Sequence, residues 1–479
     1  MPTRRLFTAL TLLAAGVLGL VGAGIEAASA RASTSGTVLQ TNLVSDLVGV
    51  AAVTDPNLVN PWGISESPTS PFWISDNGSG LSTLYLVPGA GNTSVSINPL
   101  AVNVPTLASI TGATPTGTVF NPSAAFPVTG LNRSGQATSS PAVFLFATED
   151  GTIAGWNPGI DPSGQFSGPN GASTDAVIAV DRSQSDAVYK GLAIDTSDTP
   201  IVPGDADSTA LLYASNFRAG TIEVYDAKLN PVTALTPGAF ADPGLPAGYA
   251  PFNVQVLDGK VYVTYARQDA ARQDDAAGPH RGFVDVFNPD GTPGLAAGRM
   301  RLISRGELDS PWGLAIAPPG FAGLGGLGGG QVLLVGNFGD GRIHAFDATT
   351  GSEVGQLTDP DGEPIVIGGL WELKVGNGGA GGIANTVYFT AGPFDESHGL
   401  FGSLTTVAPG SPEGPAEEQW VQASLDAVQL DLQRLLGDAS GGAPRATIRH
   451  DIRILDADSR ALARAERDFA HDAVDDATS

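Results

Sequence analysis

Asn60-Pro-Trp-Gly-Ile-Ser-Glu-Ser-Pro-Thr-Ser-Pro-Phe-Trp-Ile-Ser-Asp-Asn-Gly-Ser-Gly-Leu-Ser-Thr-Leu-Tyr85 is the stretch whose reading decides the fold. A small-residue opening leads into an apolar run, then a turn, a second apolar run, a glycine, and an alternating strand that closes on an aromatic. The same order returns in Asp309-Ser-Pro-Trp-Gly-Leu-Ala-Ile-Ala-Pro-Pro319 and Gln331-Val-Leu-Leu-Val-Gly-Asn-Phe-Gly-Asp-Gly-Arg-Ile-His-Ala-Phe-Asp347. Such a unit cannot bury its own apolar face and has to stack on its neighbours. Its period of about sixty residues suits a four-stranded blade with inserted loops.

Working outward, six leading triplets superpose: Pro61-Trp62-Gly63, Pro115-Thr116-Gly117, Tyr189-Lys190-Gly191, Pro251-Phe252-Asn253, Pro311-Trp312-Gly313 and Leu370-Trp371-Glu372. Each is followed by a middle apolar strand and a short alternating one, the pattern of half-buried β-structure. The expected fold class is all-β, a six-bladed β-propeller over 36–407 with an added C-terminal α-helical tail. Gly36 to Ser45 is expected to lend a strand to the last blade and close the ring, which removes an open sheet edge. The glycine tracts Gly320 to Gly330 and Gly376 to Gly382 fall between first and second strands. They lack the Gly-Lys-Ser/Thr ending of a phosphate loop, so they read as flexible connections.

The flanks differ in character. Arg4 and Arg5, the apolar run Leu6 to Gly24 and Ala28-Ser29-Ala30 read as a signal peptide over 1–30, cleaved before Arg31. Thr3-Arg4-Arg5-Leu6-Phe7 leaves ordinary secretion and twin-arginine export both open. No apolar span of about twenty residues follows, so no membrane span is expected after cleavage. The expected location is secreted, periplasmic or otherwise extracytoplasmic. The tail, 411–479, is acidic. Pro415 with Glu417 and Glu418 makes a helix start. Val421, Leu425, Val428, Leu432 and Leu435 then form an apolar seam. A packed appendage and self-association through the 416–436 helix are both open readings of it.

Composition excludes several classes. Asp and Glu number 49 against 24 Lys and Arg, a formal charge of −25, which argues against nucleic-acid binding. With no cysteine, packing alone must hold an exported chain, and thiol nucleophiles and thiolate metal sites are ruled out. No Gly-x-Ser-x-Gly elbow or His-Glu-x-x-His motif occurs.

In a propeller the links between blades and the loops between second and third strands share one face around the channel, the default ligand site. The rim residues expected there are Trp62, Asp76, Glu149, Arg218, Asn253, Trp312, Trp371, Glu372 and Asp395, with Asn60 and Asn77 beside them. Asp76, Asn216 and Asn337 recur four residues before a glycine and so read as turn-builders. Asn253 and Glu372 break the glycine rule of the leading triplet, and such departures are where function is expected. Their oxygens could bind a hard cation such as Ca²⁺, or could be hydrogen-bonded groups lining the pore. Gly392-Pro-Phe-Asp-Glu-Ser-His-Gly399 gathers Glu396 and His398, candidates for acid/base catalysis or for a hydrogen-bonded loop.

The strings Asn42-Leu-Val-Ser-Asp46, Asp55-Pro-Asn-Leu-Val-Asn-Pro-Trp-Gly63 and Phe72-Trp-Ile-Ser-Asp-Asn-Gly78 resemble an uncharacterised family of exported bacterial proteins that often accompanies exosortase (PEP-CTERM) sorting. Gly336 to Ile343 and Glu396 to Gly402 fit the same family. The resemblance covers Thr37 to Val407 and implies a propeller and export, with no established activity. This chain departs from it in ending on an acidic tail without a hydrophobic sorting helix. More distantly, the blades are similar to NHL-repeat and gluconolactonase-like propellers. The latter resemblance implies a divalent metal held by Glu372, Asn253 and Asp76. Two functions follow as expectations: a binding module for an extracellular ligand or protein that requires no cofactor, or a metal-dependent hydrolase or lyase. Fold alone does not choose between them.

Overall fold

The computed structural model describes residues 36–88 and 95–412, with Leu425, Val428, Leu432 and Leu435 as isolated helical positions. The expected signal peptide and the rest of the tail lie outside the described residues. Each leading triplet opens a first strand: Pro61–Ser65, Pro115–Phe120, Tyr189–Thr196, Tyr249–Leu257, Pro311–Ile316 and Leu370–Val375. Each pairs antiparallel with a second strand, and that with a third, giving six antiparallel units among the described residues. In the second units' order these middle strands are Phe72–Asp76, Phe144–Thr148, Ala210–Asn216, Lys260–Arg267, Val332–Asn337 and Val387–Ala391. The amino-terminal strand Gly36–Ser45 is the outer strand of the sixth unit, antiparallel to Leu400–Thr406. Its first two residues also pair with Leu357 and Thr358 of the fifth unit, joining those two units into one nine-stranded sheet.

Every first strand carries an irregularity at its leading triplet, between Pro61 and Ile64 in the first unit and at the matching place in the other five. A bulge leaves one residue out of the ladder and re-aims the side chains on either side of it. The N–H freed in this way needs another acceptor. Second-strand hydroxyls supply it: Ser215 for Gly191 (2.6 Å), Thr264 for Asn253 (2.9 Å) and Thr390 for Glu372 (3.2 Å).

Glycine at the third place of the triplet is a matter of room. A Cβ on Gly63 would lie 2.7 Å from Thr116 O, and one on Gly313 would lie 2.6 Å from Trp371 O. Gly117 faces the backbone of Leu192 as tightly, and the space above Gly191 is filled by the Asn253 amide. Asn253 in turn donates to Trp312 O at 2.9 Å, and Thr390 Oγ1 donates to Trp62 O across the sixth and first units. The six first strands therefore follow one another in a closed ring.

The apolar residues sort the same way. Six buried clusters each join side chains of two successive units, such as Trp73 and Leu84 with Phe144 and Trp156. A seventh, of Trp62, Phe217, Phe252, Trp312 and Trp371, draws on the first, third, fourth, fifth and sixth units at once. The recurring Asp76, Asn216 and Asn337 build the same turn: their carbonyls accept from Gly80, Gly220 and Gly341 at 2.9, 2.9 and 3.1 Å. Among the described residues no helix is long and apolar enough to cross a membrane.

Candidate functional site at the axial mouth

The bulge delivers the middle residue of each triplet to the ring: Trp62, Thr116, Lys190, Phe252, Trp312 and Trp371, all buried. The indoles of Trp62 and Trp371 stack with centroids 3.6 Å apart, and Trp312 meets both edge-on. Phe338 covers Trp371 at 4.1 Å. Lys190 is the one charge among these six, only 1% exposed. Its Nζ lies 4.7 Å over the Trp62 ring and donates to Glu149 and, at 3.1 Å, to Asp274. Burial alone would depress the ammonium's pKa, but Glu149 and Asp274 outweigh it and raise the pKa above the ordinary lysine value.

A polar chain crosses the mouth from this lysine. Asn77 Nδ2 donates to Glu149 at 3.0 Å, and Asn60 Nδ2 reaches Asn77 at 3.4 Å and Glu396 at 2.8 Å. Trp371 Nε1 donates to Asn60 Oδ1 at 3.0 Å. Arg218 donates to Gln273, next to Asp274, at 2.7 Å. Burial pushes the Glu396 carboxyl up to about 7; Asn60 and Lys190 act against the rise, and Glu149 and Asp274 add to it. Asp275 is likewise raised by burial, to about 6, with Ser310 and Lys190 opposing. Three buried polar atoms here have no hydrogen-bond partner: Trp62 Nε1, Trp312 Nε1 and Arg218 Nε. Buried polar groups are nearly always paired.

Glu396 is held there by unusual backbone. Phe394, Asp395 and Glu396 have φ of 57°, 56° and 64° in succession. Left-handed backbone costs roughly 1–2 kcal/mol per residue without glycine, and strain of this kind gathers at functional sites. The loop is anchored at its far end. His398 Nδ1 bonds Asp46 at 2.7 Å, and Gly399 N donates to the same carboxylate at 2.8 Å.

The structure thus brings together Trp62, Glu149, Arg218, Trp312, Trp371 and Glu396, with Asp395 exposed beside them. Asn253 and Glu372 lie one residue further along their strands, buried between first strands. Glu372 Oε1 accepts from Gln255 Nε2 at 2.6 Å and from Leu373 N at 3.1 Å, while Asn253 Oδ1 accepts from Val254 N at 2.8 Å. Burial pushes the Glu372 carboxyl up to about 7. Asp76 has other company, accepting from Thr83 N at 3.0 Å within its own sheet, and burial with nearby Asp55 raises its pKa. His398 serves Asp46 and not Glu396. Away from the mouth, Asp205, Asp207 and Asp226 lie close enough to share a cation, and Lys228 donates to Asp207 at 2.7 Å. Sequence reasoning passed over Lys190, Asp274, Asp275 and Ser310. The signal for Lys190 was present: it stands where four of the other five triplets carry an aromatic.

Fold and site together define an all-β, propeller-like protein in which charged and polar side chains gather beside a buried aromatic cluster. The chain belongs to one family with uncharacterized protein R648 of Acanthamoeba polyphaga mimivirus, 32% identical over 368 residues that span 76% of this chain and 78% of that one. Uncharacterized protein L690 of the same virus is 30% identical over 365 residues, 76% of this chain and 84% of that one. No family model matches the chain. Among solved structures, the α-L-arabinanase of Penicillium chrysogenum complexed with arabinobiose is similar over 77% of this chain and 98% of that one, at 10% identity and a TM-score of 0.42.

Proposed function

We propose that the six antiparallel units are the blades of a six-bladed β-propeller, exported from the cytoplasm, that binds a ligand or protein partner through its axial mouth. The export half is supported by the leader-like 1–30 segment; the expected tie to bacterial, exosortase-associated proteins is not supported, since the relatives are mimivirus proteins. One observation carries the binding half. Residues from the first, second, third, fourth and sixth units converge on one buried lysine, and unpartnered polar atoms remain around it. A scaffold needs no such convergence, since the six inter-sheet clusters already hold the ring. The test is a thermal-shift panel of amines, polyols, organic acids, glycans and peptides on the protein and on Lys190→Met. A native-state ligand at one hundred times its dissociation constant adds about 2.7 kcal/mol. A hit lost in Lys190→Met supports the reading; hits that persist in it move binding elsewhere.

The raised carboxyl of Glu396 supports a second reading, a hydrolase or lyase with Glu396 as general acid or base. In the metal-dependent form of that reading, Glu372 and Asn253 would hold a divalent cation such as Ca²⁺. Unfolding in EDTA and then with added Ca²⁺ tests it. A midpoint rise abolished by Glu372→Gln supports the metal; an unchanged midpoint counts against it. Self-association through the 416–436 segment belongs to the same proposal, and sedimentation of a chain ending at residue 412 tests it.

A further inference from the structure

The charge at the mouth is predominantly acidic, beside the unpartnered donors Trp62 Nε1, Trp312 Nε1 and Arg218 Nε. Four carboxyls, Glu149, Asp274, Asp275 and Glu396, come from the second, fourth and sixth units to the surroundings of two cations, the Lys190 ammonium and the Arg218 guanidinium, which donates to Gln273. Glu149 is taken up by Lys190 and Asn77. Asp275 has only the neutral Ser310 hydroxyl as a side-chain hydrogen-bond partner, Glu396 has only the neutral Asn60 amide, and the Asp274 side chain is 64% exposed. Buried carboxylates in excess of cations are costly unless a positive charge joins them.

The aromatic residues point away from a stacked sugar. Trp62 has Trp371 at stacking distance and Lys190 over its ring, and Trp371 also has Phe338 stacked on it. Trp312 is buried among Trp62, Trp371 and Phe252. An anionic ligand would meet the surplus of negative charge, in a chain whose formal charge is already −25. Lys190 meanwhile shows that an ammonium fits: carboxylates on two sides, an indole face on another.

We propose that the axial mouth binds an organic cation, a ligand presenting a protonated amine, with Glu396, Asp275 and the exposed Asp274 as its counter-ions beside the Lys190 ammonium. The proposal rests on the mouth being the binding face and adds the class of ligand. Burial has raised the Glu396 and Asp275 carboxyls to about 7 and about 6, as expected of acids short of a counter-ion.

Three four-carbon probes of equal length separate the possibilities by calorimetry at pH 8: 1,4-diaminobutane, butane-1,4-diol and succinate. Diaminobutane is expected to bind saturably, with the diol and succinate silent. Glu396→Gln and Asp275→Asn, each checked for an unchanged circular-dichroism spectrum, are expected to weaken it tenfold or more. Asp198→Asn, in the loop between first and second strands of the third unit and so at the opposite end of the channel, is expected to leave it unchanged. Equal weakening by all three variants reduces the effect to the protein's overall charge and overturns the proposal. Binding of the diol or succinate in its place overturns the proposal too, while leaving the mouth as the site. If diaminobutane is silent but another ligand is lost in Lys190→Met, the cation assignment alone falls; if no ligand depends on Lys190, the mouth reading falls with it.

Discussion

At the scale of the residue, the buried ionisable groups are where single atoms decide behaviour. Lys190 is a charge enclosed by carboxylates, and removing one partner of a buried pair typically costs about 3–5 kcal/mol because the others stay buried and uncompensated. Lys190→Met is therefore expected to lower the unfolding free energy read from urea titration by that order, while Lys190→Arg loses less. Glu372 shows the opposite case. Its folded pKa of about 7 lies above the ordinary 4.5, so the folded chain holds this proton more tightly than the unfolded one. The contribution to stability is complete below about pH 4.5 and is lost as pH rises to about 7. Glu372→Gln, which keeps the oxygen that accepts from Gln255 and Leu373, should raise the unfolding free energy at pH 8 by about 1–3 kcal/mol, and with it the midpoint, and change little at pH 4. A midpoint lowered equally at both pH values would show that the carboxylate is held by a positive partner. Sequence comparison made Glu372 visible as a departure from glycine. It left Lys190 inconspicuous, because a lysine at a strand start is ordinary until its neighbours in space are known.

Elements are set by the bulge and the glycine behind it. Because the Gly117 position faces the Leu192 backbone of the next unit, Gly117→Ala must push two first strands apart. Overpacking of this kind costs typically 1–3 kcal/mol and more where the obstacle is main chain. Calorimetric unfolding should show a loss at or above that range; a loss of a few tenths of a kcal/mol would mean that the ring is loose there. Asp46 ties the end of the amino-terminal strand to His398 and Gly399, and Asp46→Ala should cost about 1–3 kcal/mol through the two abandoned donors. Most strands could be read from alternation, within a residue or two at their ends. The bulges could not, since a bulge is a mismatch between two strands and neither strand's sequence contains it. The His398–Asp46 bond joins residues 352 apart in the chain. In sequence His398 sits two residues from Glu396, which made those two look like the partners.

For the whole molecule, charge and closure dominate. A chain at −25 repels itself, and salt screens that repulsion over a Debye length of about 8 Å at physiological strength. The unfolding midpoint at pH 8 should rise from 10 to 300 mM sodium chloride, and a flat response would mean that attractive pairs such as Lys190 with Glu149 and Asp274 cancel the effect. The amino acid sequence by itself determined the all-β repeat, the apolar faces of the strands and the return of Gly36 to Ser45 beside Leu400–Thr406. Those features are local or periodic, and each recurs often enough to be recognised. Only the tertiary structure decided that the aromatic middle residues of four triplets meet, that Lys190 stands over the Trp62 indole, and that Asp274, Asp275 and Glu396 come to the same place from different sheets. Ring closure brings together residues hundreds of positions apart, and a charge's energy depends on what surrounds it once water has been excluded.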